Sequence, residues 1–259
     1  IDVTVFTEKD IMSPIVDQVT TKYKIALLHE PRSIHPWAYE QIIRLEDKFD
    51  YILTHDEDLL LRGNKYIFCA YTATGSTLLE ENHKIHKKSK LASIIASKKG
   101  RDIIVCDLAR GHKLRHIVCD LIKRRNYDVD LWGWAYKHFS SKSEPLKDYY
   151  FSLSILNGKH NNYFNETLTD CFRAGTVPIF WGCPNIGDFF DERGILKFNT
   201  GPELIDILDN LSPELYYEKM EYIEENFKRV MHYNRTDDNT FSVIDKTIKS
   251  AQNIATEVL

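Results

Sequence analysis

Short apolar runs alternate with segments of helical spacing along most of this chain, and that alternation limits what it can fold into. "KIALLHEP" (Lys24 to Pro31) reads as a buried strand ending at a polar tip. "PWAYEQIIRLEDKF" (Pro36 to Phe49) follows with helical spacing: Tyr39, Ile42, Ile43 and Leu45 carry much of its apolar face, and Pro36 suits a first helical turn. "DYILTHDEDLL" reads as a strand with an acidic exit, and "YIFCAY" (Tyr66 to Tyr71) as another strand. The stretch "EENHKIHKKSK" is polar and basic, and reads as a solvated linker.

A second series starts at Leu91. "LASIIAS", "YDVDLWGWA", "YYFSLSILN" and "TVPIFWG" read as strands. Helices are predicted from about Gly111 to Arg125, from Glu166, from Pro202 to Leu211 and from Pro213 to His232. Strand–helix alternation implies a mostly parallel sheet covered on both faces. The expected organisation is an N-terminal α/β unit over residues 1–88, a C-terminal α/β unit over 89–235, and a C-terminal helix over 236–259 packing across them. A cleft would lie between the units.

A chain of 259 residues with 43% hydrophobic and 28% charged residues has material for a sizeable core. Its net charge of −4 argues against binding nucleic acid through bulk electrostatics. No run is long enough for a membrane span, and none resembles a signal peptide. The chain opens on Ile rather than Met, which leaves room for a targeting segment upstream. Cys69, Cys106, Cys119, Cys171 and Cys183 show no metal-like spacing, and most lie in apolar runs. Reduced core thiols suit a reducing compartment, so a cytoplasmic or membrane-peripheral location is expected.

The chemistry concentrates in "NYFNETLTDCFRAGTVPIFWGCPNIGDFF". Asn165 is a plausible N-cap, Glu166 sits in the first turn, and Gly175 is a good helix stop. The preceding strand ends at Asn157, so "NGKHNNYFN" forms a loop at its carboxyl end, where open α/β sheets bind ligands. Glu166 could act as a helix-dipole residue or as an acceptor for a ribose diol. The pair Asp128 and Asp130 imitates a metal-binding Asp-x-Asp, but the two alternate with Val129 and Leu131 as in a strand. His29, His35 and His55 make no ligand set by spacing. Trp181 suits core packing or stacking on a ligand.

The run from Tyr149 to Phe190 resembles the donor-binding region of the α-1,3/4-fucosyltransferases, glycosyltransferase family ten. That family shows a strand ending Phe-Glu-Asn, a loop, Tyr-Val-Thr-Glu-Lys, a helix, and a strand ending Pro-(Ile/Val)-x-x-Gly. Asn157, Tyr163 and Glu166 match the Asn, Tyr and Glu of those motifs, and "GTVPIFWGCP" matches the last strand. The similarity spans roughly Lys90 to Leu208. Two positions depart: Thr167 stands for the family's Lys, and Leu156 for its Glu. The family's Lys contacts the donor phosphates, so a point charge is missing here.

The resemblance implies a GT-B-like fold, two Rossmann-like units facing a cleft with a small N-terminal unit. It implies inverting transfer of fucose from GDP-fucose to a glycan hydroxyl. Asn157, Tyr163 and Glu166 would hold the nucleoside or sugar. Arg115 aligns with the family's diphosphate-binding Arg, and Lys113 would assist. Glu30, after an N-terminal strand, resembles the family's catalytic base in position; Asp56 and Asp58 are rivals. No cofactor and no essential metal are expected. The expected partners are a nucleotide-sugar donor and a glycan acceptor. A transferase of another nucleotide sugar, a metal-dependent transferase using the Asp-x-Asp, and a non-catalytic glycan- or nucleotide-binding relative are the alternatives.

Overall fold

The computed structural model describes residues 2–73, 78–97, 110–134, 136–233 and 236–257. Its first part is a four-stranded parallel sheet of β1 (Val3–Thr7), β2 (Tyr23–Leu27), β3 (Tyr51–Thr54) and β4 (Tyr66–Phe68), in that spatial order. Parallel neighbours need crossovers. These carry α1 (Ile15–Gln18), α2 (Pro36–Leu45) and α3 (Glu57–Leu60). On one face of the sheet, Phe6, Ala26, Leu28 and Ile52 pack against Tyr39 and Ile42 of α2.

After β5 (Tyr71–Ala73) the second part follows. It contains β6 (Lys90–Ile95), α4 (Arg110–Arg125), β7 (Val129–Trp132), β8 (Tyr149–Ile155), β9 (Tyr163–Asn165), α5 (Glu166–Arg173), β10 (Val177–Trp181) and β11 (Leu196–Lys197). It continues through α6 (Gly201–Asp209), α7 (Pro213–Tyr217) and α8 (Met220–Val230) to α9 (Thr236–Glu257). The five-stranded sheet runs β11-β10-β8-β6-β7, with every pair parallel. Alternation sorts its side chains. Ile155, Ile179 and Trp181 enter one core with Leu204 and Tyr216. Leu156 and Phe180 enter the other, with Phe164, Leu168, Phe172 and Val230.

Two features tie the parts together. β5 pairs in parallel with β9, setting Tyr71 opposite Tyr163 and Ala73 opposite Asn165. The last helix, α9, places Ile244 and Ile248 against Ile25, Leu27, Leu53 and Cys69 of the first sheet. The chain therefore returns to the first unit and covers its second face. Among the described residues no helix is long and apolar enough to cross a membrane.

Several expectations need correction. "YIFCAY" is not one strand. β4 ends at Phe68, the Cys69 N–H bonds the Thr54 carbonyl, and the chain then leaves for β5. The acidic exit of the third strand is a separate one-turn helix, capped by Asp56 accepting from the Leu59 N–H. The helix expected over 213–232 breaks into α7 and α8, with a short 3-10 turn at Met231–Tyr233. The basic run is not wholly solvated. Lys88 is 5% exposed and donates to the carbonyls of Lys147 and Ala174 and to Thr176 Oγ1. Cys69, Cys119, Cys171 and Cys183 are free and buried, and Cys106 lies outside the described residues.

Candidate active site

The strand order reverses around β6: β7 lies on one side and β8 on the other. Open parallel sheets bind ligands at the carboxyl ends of strands beside such a switch point. There the first turn of α4 approaches the end of β8, and the Gly111 N–H donates to the Asn157 carbonyl at 3.1 Å.

Arg115, one helical turn on, reaches the same place. Its Nε donates to the Ile155 carbonyl at 2.7 Å and its Nη2 to Asn157 Oδ1 at 3.2 Å. Nη1 lies 3.4 Å from His112 Nδ1. Burial lowers the guanidinium pKa, and the nearby Glu166 charge counteracts that. The group keeps its charge because an Arg pKa starts far above neutrality. Five N–H donors are more than these contacts use, so some stay available to an anion. Lys113 is exposed on α4. Two residues apart on a helix, it does not share the face of Arg115.

The loop from β8 to α5 is held from both sides. Asn162 adopts φ +62°, a left-handed conformation that Asn tolerates. Its side chain donates to the His55 carbonyl at 3.2 Å, and it exchanges hydrogen bonds with Asn185. Asn165 then caps α5, with Oδ1 accepting from the Thr167 N–H at 3.1 Å. Gly175, at φ +63°, ends the turn after α5. Glu166 sits in the first turn with its side chain one-third exposed.

Tyr163 is the meeting point. It is fully buried, and its ring lies 5.5 Å from that of His55 in the first unit. Burial chiefly, then the charges of Glu30 and Glu166, push its phenol above the usual range; Asn165 and Arg115 pull it back.

Glu30 lies just past the carboxyl end of β2. The N–H groups of His29 and Glu30 both donate to Glu8 Oε1, at 2.5 and 2.9 Å. The Tyr39 hydroxyl donates to the Glu30 carbonyl at 2.7 Å. The backbone under Glu30 is therefore fixed. Its rival Asp56 is committed elsewhere: Arg32 grips both its oxygens at 2.6 and 2.8 Å, and it caps α3. These bonds outweigh burial and hold its pKa below the usual range. Asp58 is largely exposed, 3.9 Å from Arg32.

Between the units lies a cavity of about 420 Å³, lined in part by Arg32, His55, Asp56, Lys159 and His160. His160 bonds Ser33 Oγ at 3.0 Å across the junction. Burial pushes the His55 imidazole down to about 4, so it is neutral at ordinary pH. Asp130 is exposed on β7 and accepts from the Tyr149 hydroxyl at 2.6 Å, with buried Val129 between it and exposed Asp128. This is the strand arrangement. Among the described residues no group of three or more His, Cys, Asp or Glu is placed to hold a metal ion. Trp181 is mostly buried in the core, with the Lys159 ammonium 5.3 Å from its ring centre.

Both departures from the motif have a structural setting. Leu156 is fully buried in an apolar cluster and sits against Gly182, where any β carbon would lie 2.5 Å from its Cδ1. A carboxylate is thus replaced by a core residue. Beside Thr167, an ammonium arrives from elsewhere. Lys142 lies 3.8 Å from Glu166 Oε1 and 2.9 Å from Asp170 Oδ2. Sequence reading overlooked it. The available signal was the i, i+4 spacing of Glu166 and Asp170 on a buried helix, which calls for nearby cations.

Residues 86–254 match the family model described as glycosyltransferase family 10 (fucosyltransferase), C-terminal part. An alpha-(1,3)-fucosyltransferase of Helicobacter pylori is 30% identical over 74 residues, which cover 27% of this chain and 16% of that protein. A fucosyltransferase-like protein of Arabidopsis thaliana is 31% identical over 84 residues, 31% of this chain and 16% of its own length. The matched stretches thus span a small part of either relative. Among solved structures, an alpha1,3-fucosyltransferase with GDP-fucose is similar over 90% of this chain and 76% of its own, with a TM-score of 0.54 and 17% identity. The same kind of enzyme with GDP gives 0.55 and 16%. The fold is therefore the two-unit, GT-B-like α/β fold of those structures.

Proposed function

The chain belongs to glycosyltransferase family 10, and from that premise we propose that it transfers fucose from GDP-fucose to a glycan hydroxyl, with inversion. The observation that carries this reading is the Arg115 guanidinium held by the Ile155 carbonyl and Asn157 Oδ1 at the carboxyl end of β8, with donors left for an anion.

The roles follow from chemistry. Residues 89–235 bind the donor. Arg115 meets the diphosphate, where a guanidinium suits paired oxygens. Asn157 and Glu166 accept hydrogen bonds from hydroxyls of the nucleoside or sugar, and Tyr163 walls the site. Lys113 acts only from the rim. Residues 1–88 present the acceptor, and 236–259 brace the units. Glu30 takes the acceptor proton as the new bond to the anomeric carbon forms. The bond from that carbon to the phosphate oxygen breaks, and GDP leaves with the electron pair. Its negative charge falls near Arg115, so no metal has a required part in this scheme. Buried free thiols favour a cytoplasmic setting.

The test is transfer from radiolabelled GDP-fucose to a panel of neutral glycans, with UDP- and other GDP-sugars in parallel. Label moving from GDP-fucose alone supports the reading. Transfer from a UDP-sugar, or bound GDP with no sugar consumed on any glycan, counts against it.

A further inference from the structure

Lys142 comes from the "SSKSEP" stretch between β7 and β8. Its side chain is 12% exposed, and its ammonium stands between Asp170 and Glu166. Those two carboxylates lie four residues apart on one face of α5. Asp170 is wholly buried, and its other oxygen meets Arg173 Nη1 at 3.3 Å. Arg173 is wholly buried too, and it donates to Thr169 Oγ1 and to the Tyr233 carbonyl. The set holds two carboxylates and two cations.

We propose that Lys142 is a positioning residue for the donor site, holding the Glu166 carboxylate on the α5 side and away from Arg115. The inference rests on the functional reading above. Arg173 and Lys142 both meet Asp170, at 3.3 and 2.9 Å. Of these two cations Lys142 is the one that also reaches Glu166, at 3.8 Å, and Glu166 is the carboxylate open to the site. Glu166 also acts on Arg115, counteracting the effect of burial there. Without Lys142, Glu166 would face a buried like charge at Asp170 and be drawn to Arg115. The guanidinium donors that a phosphate needs would then be occupied by a carboxylate. Lys142 is thus a cation delivered by a loop to a helix turn where Thr167 carries none.

The experiment is fluorescence titration with a labelled GDP on purified variants. Lys142→Met is expected to weaken GDP by roughly tenfold or more, Lys142→Arg to recover most of that, and Lys142→Met to add little once Glu166→Gln is present. A solely structural role would not produce that dependence on Glu166. A folded Lys142→Met protein that keeps its GDP affinity within about twofold overturns the inference, as do independent, multiplying effects of the two substitutions. Loss of the buried Asp170 counter-charge can unfold the single variant. The comparison of Asp170→Asn with Lys142→Met/Asp170→Asn then decides, on the same affinity criterion. Failure of the unaltered protein to bind GDP overturns the functional reading itself, and the inference with it.

Discussion

Gly111 and Leu156 approach so closely that a β carbon on residue 111 would sit 1.7 Å from the Leu156 carbonyl oxygen. Only a glycine lets the first turn of α4 rest on the end of β8 and carry Arg115 to Asn157. Gly111→Ala must push the helix off the strand. The expected result is a loss of stability of about 1–3 kcal/mol, typical of overpacking. GDP affinity should fall in parallel, because Arg115 rides on the same turn. Urea unfolding and GDP titration of the variant check both halves. A stable variant with unchanged affinity would show that this contact does not place Arg115.

Glu30→Gln separates chemistry from binding. The amide keeps the shape and cannot accept the acceptor proton. The turnover number should drop by roughly 10²–10⁴-fold, with GDP affinity little changed, because Glu30 stands in the other unit. Steady-state kinetics with the transferred glycan, beside GDP titration, provide the comparison. Asp56→Asn should instead cost stability, since Arg32 loses its partner.

Lys88 links stability to pH. Burial lowers its ammonium from the usual 10.5 to about 7, while Cys171 and Asp148 act in the opposite sense. The unfolded chain therefore binds more protons between about pH 7 and pH 10 than the folded one. Stability owed to this residue rises with pH across that window and is lost below it. Lys88→Met should flatten the difference. Melting temperatures of both proteins from pH 6.5 to 9.5, about one pKa spacing apart, give the test. Parallel curves would mean that the hydrogen bonds to Lys147, Ala174 and Thr176 keep the ammonium charged throughout.

The buried Asp170–Arg173 pair predicts asymmetric damage. Arg173→Met leaves a buried carboxylate short of a partner and should cost about 3–5 kcal/mol. Replacing both residues by apolar ones of similar volume should recover much of that loss. Chemical denaturation of the single and double variants measures the difference. Equal losses would place the stability elsewhere.

The start of α5 was legible because its signals are local: Asn165 caps, Glu166 opens the turn, and Gly175 stops it. Four strands of the second sheet, β6, β7, β8 and β10, were legible as apolar or alternating runs, while the two-residue β11 was not. β9 was not. It is three residues long, and its extended form comes from pairing with β5, far away in sequence. Leu156 could not be assigned a side from sequence alone, because the phase of a strand alternation is fixed by the neighbouring core. Glu30 and Asp56 looked alike as acids after strands. Arg32 distinguishes them, and that ion pair exists only in the folded unit. Lys142 meets Glu166 through tertiary packing of a loop, so the i, i+4 acids call for a cation without saying which one.

The most direct measurement is a thermal-shift titration with GDP and UDP, on the unaltered protein and on Arg115→Ala. Saturation to about 100 times Kd should add roughly 2.7 kcal/mol, which raises the melting temperature by several degrees in a chain of this size. The account predicts that shift with GDP, a smaller one with UDP, and little with either nucleotide in Arg115→Ala. Equal shifts with GDP and UDP, or a GDP shift untouched by Arg115→Ala, would contradict it.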